Sequence, residues 1–246
     1  MNFIGFYALI PLLLFLYSQK HKTLLAKYSI IGTFIPQINL LGFLVGSLLF
    51  EENTARSIFL ESTFITHSLI IHILIIYLLL IFSNIAKKDN IAIIGKGIFI
   101  GSLTHIALDI IFLNEPLNIF WPIKDNTLTL NFIRSTLLSK ISDHTIENIS
   151  PLVRCFEFLS LYIYGKIMLI TSINDTRKAK LIFYIQKWCK LQANLFIFFL
   201  TLYFVIYNMP NFGLEVYYIL LSFLMLVSTF TAIKITLKTI TVKKDG

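Results

Sequence analysis

The 246-residue chain is 57% hydrophobic and only 14% charged, where a soluble domain of this size carries about 25% charged residues. That composition excludes an ordinary water-soluble domain and points to a membrane protein, in keeping with a mean hydropathy of +0.79. A net charge of +8 would suggest nucleic acid in a soluble chain, but the basic residues fall mostly between apolar runs, where orientation in a bilayer accounts for them and no nucleic-acid partner is expected.

Seven apolar runs follow one another: residues 3–17, 29–50, 64–82, 91–113, 156–173, 193–207 and 214–233. A membrane helix needs about 20 residues, so the expected fold class is all-α, a polytopic transmembrane helix bundle of about seven spans. The first run lacks the charged start and small-residue cleavage site of a signal peptide and is expected to be a retained span. The second is irregular, because Pro36, Gln37, Asn39, Gly42 and Gly46 interrupt it. Broken backbone at membrane depth is tolerated only inside protein or beside a wet cavity, so residues 35–42 are expected to form a kink or re-entrant break near an interior site. Residues 51–61, with Glu51, Glu52, Arg56 and Glu61, read as the connection to the third span.

Basic residues cluster after the first, third, fifth and seventh runs, while the connections 51–61 and 208–213 are poor in them. The positive-inside rule then predicts an outside N-terminus and a cytoplasmic C-terminus, and the outer ends of the third and fourth spans lie on the extracytoplasmic side. Three parts are expected: residues 1–122 carrying a site, an external loop 123–155 with an amphipathic helix at 132–141, and three further spans in 156–246. Trp121 reads as an interface anchor. Asp143, His144 and Glu147 read as solvated loop residues, and Cys155 and Cys189 as free thiols.

The fourth run holds the residues that stand out. His105 and Asp109 lie four apart inside it and therefore on one helix face. Ionisable groups buried at membrane depth cost several kcal/mol unless compensated, so such a pair marks a site by default. A second imidazole, His67, opens the third run. His72 is five residues further on, about 140° around a continuous helix, and is expected to face elsewhere. Lys166, mid-way along the fifth run, is a candidate partner for Asp109, and Glu61 a candidate to approach the site. A purely structural reading stays open, in which a His–Asp hydrogen bond pins two helices together in lipid.

Gly101-Ser102-Leu103-Thr104-His105-Ile106-Ala107-Leu108-Asp109, followed by Phe120-Trp121-Pro122 and preceded by Thr66-His67-Ser68 and Phe34-Ile35-Pro36, occur in a distinctive order. In that order and approximate spacing the chain resembles the LexA-regulated, membrane-bound metal-dependent hydrolases, small multi-span proteins of the bacterial inner membrane. The likeness covers residues 1–122. Gln37-Ile38-Asn39-Leu40 stands where that family has Asp-x-Asp-His, Ser62-Thr63-Phe64 where it has His-Arg-Gly, and Gly5-Phe6 where it opens with Gly-His.

The resemblance implies a hydrolase in which His67, His105 and Asp109 are the surviving metal ligands. Two imidazoles and a carboxylate suit one divalent ion, Zn²⁺ foremost, with positions left open for water. Asn39 or Gln37 would orient water or substrate, and Thr66 and Thr104 would support the ligands. A two-metal site is not expected, since the acids for a second cation are missing. The partners implied are the bilayer and a lipid or lipid-linked ester or phosphoester. Two alternatives stand beside the hydrolase: a non-catalytic protein retaining the fold, and a small transporter component using His105, Asp109 and Lys166 as an ion relay.

Overall fold

The computed structural model describes residues 14, 24–112, 117–123, 143–172, 179–206 and 212–240. Among these residues the fold is all-α with no strand. The helices are α1 (Leu24–Gly32), α2 (Asn39–Leu49), α3 (Glu52–Thr66), α4 (Leu69–Ala86), α5 (Asp89–Phe112), α6 (Asp143–Ser172), α7 (Ala179–Ile206) and α8 (Phe212–Thr239), with a 3₁₀ turn at Pro36–Ile38 between α1 and α2. The first apolar run, Leu14 apart, and the amphipathic segment 132–141 lie outside the described residues.

Five stretches are long and apolar enough to cross a membrane: Leu24–Leu49, Leu69–Ala86, Asp89–Ile110, Ala179–Ile206 and Leu214–Thr239. Their outward faces are apolar. On α4 alone Ile73, Leu74, Ile75, Leu78, Ile81, Phe82 and Ile85 are exposed. In water a contiguous patch of that kind would drive aggregation; in a bilayer it is the lipid-facing surface. The chain is a membrane protein of helical-bundle type.

One core joins the two halves of the chain. Ile30 and Phe34 from the start pack with Cys155, Phe158, Tyr164, Phe199 and Tyr217. Phe158 stacks on Phe199 with ring centroids 5.3 Å apart, and Phe199 meets Tyr217 edge-on at 5.4 Å, offset and edge geometries that suit the ring quadrupoles. The two fully buried tyrosine hydroxyls of this core are paired: Tyr164 with Thr236 at 2.5 Å, and Tyr217 donating to the Pro151 carbonyl at 2.9 Å. Cys155 and Cys189 are buried free thiols, as the sequence implied.

Small residues set two close helix crossings. Where α5 crosses α1, a Cβ on Gly97 would sit 2.8 Å from the Leu25 carbonyl oxygen, and one on Gly101 would fall on the Ser29 carbonyl. Only hydrogen at these positions, one turn apart, lets the backbones approach so closely. In the hairpin of α2 and α3, a Cβ on Gly46 would lie 2.9 Å from the Ala55 carbonyl oxygen.

Three boundaries differ from the sequence reading. Residues 51–61 are not an open connection but most of α3, a helix folded back along α2. The third apolar run is not one helix from residue 64, because α3 ends at Thr66 and α4 begins at Leu69. The segment taken as loop up to residue 155 is helical from Asp143, so Asp143, His144 and Glu147 lie in the opening turns of α6.

Candidate metal centre

The break at Pro36, between α1 and α2, positions one side of the site. Pro36 has no N–H, so a continuous helix cannot run through it. The Gly32 carbonyl instead accepts from Ile35 N at 3.2 Å and from the Ser102 hydroxyl on α5 at 3.1 Å. The Thr33 carbonyl, released from the helical ladder, accepts from His105 Nδ1 at 2.6 Å. The Gly101 crossing, one turn earlier on α5, is what brings His105 to that carbonyl.

A second break positions the other side. His67 is the C-cap of α3, with φ −105° and ψ 5°. Ser68 is the N-cap of α4, its side chain accepting from Ile71 N, the usual service of a serine at a helix start. The segment 117–123 pins this junction: Leu69 N donates to the Ile119 carbonyl at 2.7 Å, and the Ser68 hydroxyl to the Trp121 carbonyl at 2.7 Å. The Phe120-Trp121-Pro122 motif thus contributes one backbone acceptor, the Trp121 carbonyl, to the site's frame, and Ile119 just before it a second. His67 Nδ1 donates to the Thr63 carbonyl at 2.9 Å.

Both Nδ1 atoms therefore face carbonyl oxygens, which only accept, so each ring carries its proton on Nδ1 and turns Nε2 inward. His67 Nε2 lies 2.8 Å and His105 Nε2 3.2 Å from the same oxygen, Asp109 Oδ2. The rings meet edge-on with centroids 5.5 Å apart, and His67, His105 and Asp109 are 1%, 0% and 6% exposed. Three electron-rich atoms within 4.8 Å of one another, shielded from water, need positive charge between them. Either protons on Nε2 or a cation supplies it.

The donor set fits a divalent ion. Bonds of about 2.1 Å at a tetrahedral centre put donors about 3.4 Å apart, so the 2.8 Å and 3.2 Å separations from Asp109 need to open by about 0.6 Å and 0.2 Å, while the two imidazole nitrogens, within 4.8 Å of each other, close on the ion. The ring tautomers are already those that metal ligation requires, each fixed by a hydrogen bond to its second nitrogen.

The other sequence candidates lie around this group without joining it. Thr66 stands beside His67, its hydroxyl 3.0 Å from Nδ1 while donating to the Ser62 carbonyl at 2.9 Å. Asn39 is buried and acts at one remove, its Nδ2 donating to Thr63 Oγ1 at 3.3 Å. Gln37 is buried too, and its Oε1 accepts from Thr229 on α8 at 2.7 Å, tying the break to the last helix. Thr104 closes on its own helix, donating to the Ile100 carbonyl at 2.8 Å. Glu61 is exposed. Lys166 is also exposed and its ammonium lies 5.4 Å from the Tyr162 ring centroid; the recorded ionic contacts of Asp109 are with the two histidines.

Two buried groups near the site were not expected there. His72 is 5% exposed and close enough to His67 and His105 for their charges to interact. The helix is broken at His67–Ser68, so the two histidines do not share one continuous helix and the 140° offset does not apply. Ser68 ahead of an apolar run is the N-cap signal that would have placed His72 in the first turn of a new helix. Glu157 on α6 is buried and in electrostatic range of both Asp109 and Arg154, so the second half of the chain also reaches this region. Nothing in the spacing of a lone glutamate in the fifth run identifies it.

No family model, curated protein or solved structure matches the chain.

Proposed function

We propose that the protein is an integral-membrane metal-dependent hydrolase in which one divalent ion is held by His67, His105 and Asp109. The observation that carries this reading is the convergence of two tautomer-fixed Nε2 atoms and a buried carboxylate within 4.8 Å. Two imidazoles and one carboxylate leave coordination positions open, and a divalent ion held that way activates water at neutral pH. The chain's own part is to fix the rings: α3 and the Thr33 break hold the Nδ1 protons, while Asn39 and Thr66 brace the turn that carries His67. The motif order shared with the LexA-regulated membrane hydrolases supports the same chemistry, and the basic residues after alternate spans support an extracytoplasmic site in a bacterial inner membrane. A site at that depth suits a lipid or lipid-linked ester or phosphoester, and zinc suits the donor set.

A second reading is favoured by the 2.8 Å contact between His67 and Asp109: protons rather than a metal fill the centre, and the triad is a structural clasp between the α3–α4 junction and α5. Elemental analysis separates the two. Detergent-purified protein is expected to carry about one equivalent of metal and His105→Ala close to none, with hydrolysis of a medium-chain lipid ester or phosphoester lost in parallel. Equal metal content in both proteins would end the hydrolase reading and leave the clasp.

A further inference from the structure

The His67/His105/Asp109 group leaves one buried imidazole unexplained. His72 Nδ1 faces the Ser68 carbonyl at 2.7 Å, and a carbonyl only accepts, so the proton is on Nδ1 and Nε2 presents a lone pair. That Nε2 is shut off from solvent and has no hydrogen-bond partner among the described residues. Buried acceptors are nearly always satisfied, by protein or by ordered water. The ring belongs to a rigid place, the first turn of α4, whose N-cap is pinned to the Trp121 carbonyl. Its electrostatic neighbours include both His67 and His105, yet it stands outside the three donors that lie within 4.8 Å of one another. It is near the centre without being one of its ligands.

We propose that His72 is a positioning residue whose Nε2 accepts a hydrogen bond from the water on the open side of the cation held by His67, His105 and Asp109. This rests on the metal reading above and assigns the chemistry of its open side. Three protein donors leave at least one coordination position to water, and that water has protons to give. An imidazole with its donor nitrogen tied to backbone offers a single acceptor at a fixed place. It would hold that water in one orientation at the site. A role for the buried lone pair would also account for a histidine within a helix whose other buried residue is Ser83.

The test uses the full-length protein in detergent, loaded with Co²⁺ as a spectroscopic probe. Wild type, His72→Ala and His72→Gln are compared for Co²⁺ stoichiometry, for affinity by chelator competition, for the visible d–d spectrum, and for the unfolding temperature of the metal-free form. Loss of a partner to the water or ligands of a metal typically weakens binding about 10–100-fold. His72→Ala is therefore expected to keep one Co²⁺ per chain, bind it about 10–100-fold more weakly, and shift the d–d bands. His72→Gln, whose Oε1 is again an acceptor, is expected to recover most of the affinity. Wild-type affinity and spectrum in His72→Ala would overturn the proposal, whether or not the metal-free form is less stable. Complete loss of Co²⁺ in both variants would overturn it in favour of direct ligation. A wild-type protein that takes up no Co²⁺ would instead refute the metal reading itself, and this inference with it.

Discussion

Gly101→Ala tests whether the site is assembled by helix proximity rather than by its ligands alone. The added Cβ falls on the Ser29 carbonyl and comes within 2.8 Å of both Gly32 Cα and Thr33 N. The Ser29 contact is the worst, and relieving it needs α5 to withdraw from α1 by about 1.2 Å, which would stretch the 2.6 Å bond from His105 to Thr33 to about 3.8 Å, beyond ordinary hydrogen-bond range. The Ser102 bond to Gly32, 3.1 Å long, would be lost with it. Overpacking costs about 1–3 kcal/mol and each lost bond about 1 kcal/mol, while alanine's better helix propensity returns about 1 kcal/mol. The net expectation is a destabilisation of about 2–4 kcal/mol, together with loss of metal because His105 is no longer held in its tautomer. Gly95→Ala on the same helix is the control: its Cβ meets Leu79 Cβ at 3.1 Å and Cδ1 at 3.2 Å, contacts relieved by a shift of a few tenths of an ångström with no backbone atom in the way, so stability should change by less than about 1 kcal/mol. Thermal unfolding in detergent, with elemental analysis of the same samples, reads both effects. A Gly101→Ala protein as stable and as metal-loaded as wild type would refute the reasoning.

Asp109→Asn keeps the shape of the side chain but removes the charge that a cation needs, so metal content should fall to near zero while circular dichroism stays unchanged; full occupancy would show that Asp109 is not a ligand. Ser68→Ala removes the N-cap of α4 and the bond to the Trp121 carbonyl. It should cost about 1–2 kcal/mol in thermal unfolding, and an unchanged midpoint would deny the junction its structural role. Cys155 and Cys189 are 0% and 2% exposed, so a membrane-permeant maleimide should label neither in the folded protein and both after denaturation in SDS. Rapid labelling of either thiol in the folded state would contradict the packing of α6 against α7.

The helical, membrane-embedded character was legible because long apolar runs leave little alternative, and the break in the second apolar run because Pro36 cannot continue a helix. The three site residues were legible from motif order and the i, i+4 spacing of His105 and Asp109. What escaped was local. Its charged residues made 51–61 read as a loop, although a helix packed on one side only keeps charges such as Arg56 and Glu61, both exposed, on its outer face. Hydropathy runs unbroken from Phe64 to Phe82 and hides the junction at His67–Ser68, which only capping chemistry marks. Missing that junction also misplaced His72. The glycines of α5 carried a further signal, small residues one turn apart, that foretold the close crossing on α1.

Each imidazole of the centre is held by a backbone carbonyl at a helix interruption, Thr33 for His105 and Thr63 for His67. Backbone acceptors survive side-chain replacement, so the geometry tolerates Gln37 and Asn39 where the resembled family has carboxylates. The interruption itself is then the sensitive point. Pro36→Ala restores an N–H at position 36 and removes the bar to a continuous helix, in which the Thr33 carbonyl would be claimed by Gln37 N. His105 Nδ1 would lose its partner, the ring would be free to change tautomer, and metal affinity should fall about 10–100-fold although no ligand has been touched. The bundle should be no less stable, because a helical hydrogen bond replaces the lost one. Chelator competition on Pro36→Ala measures this, and unchanged affinity would show that the break at Pro36 does not hold the metal centre together.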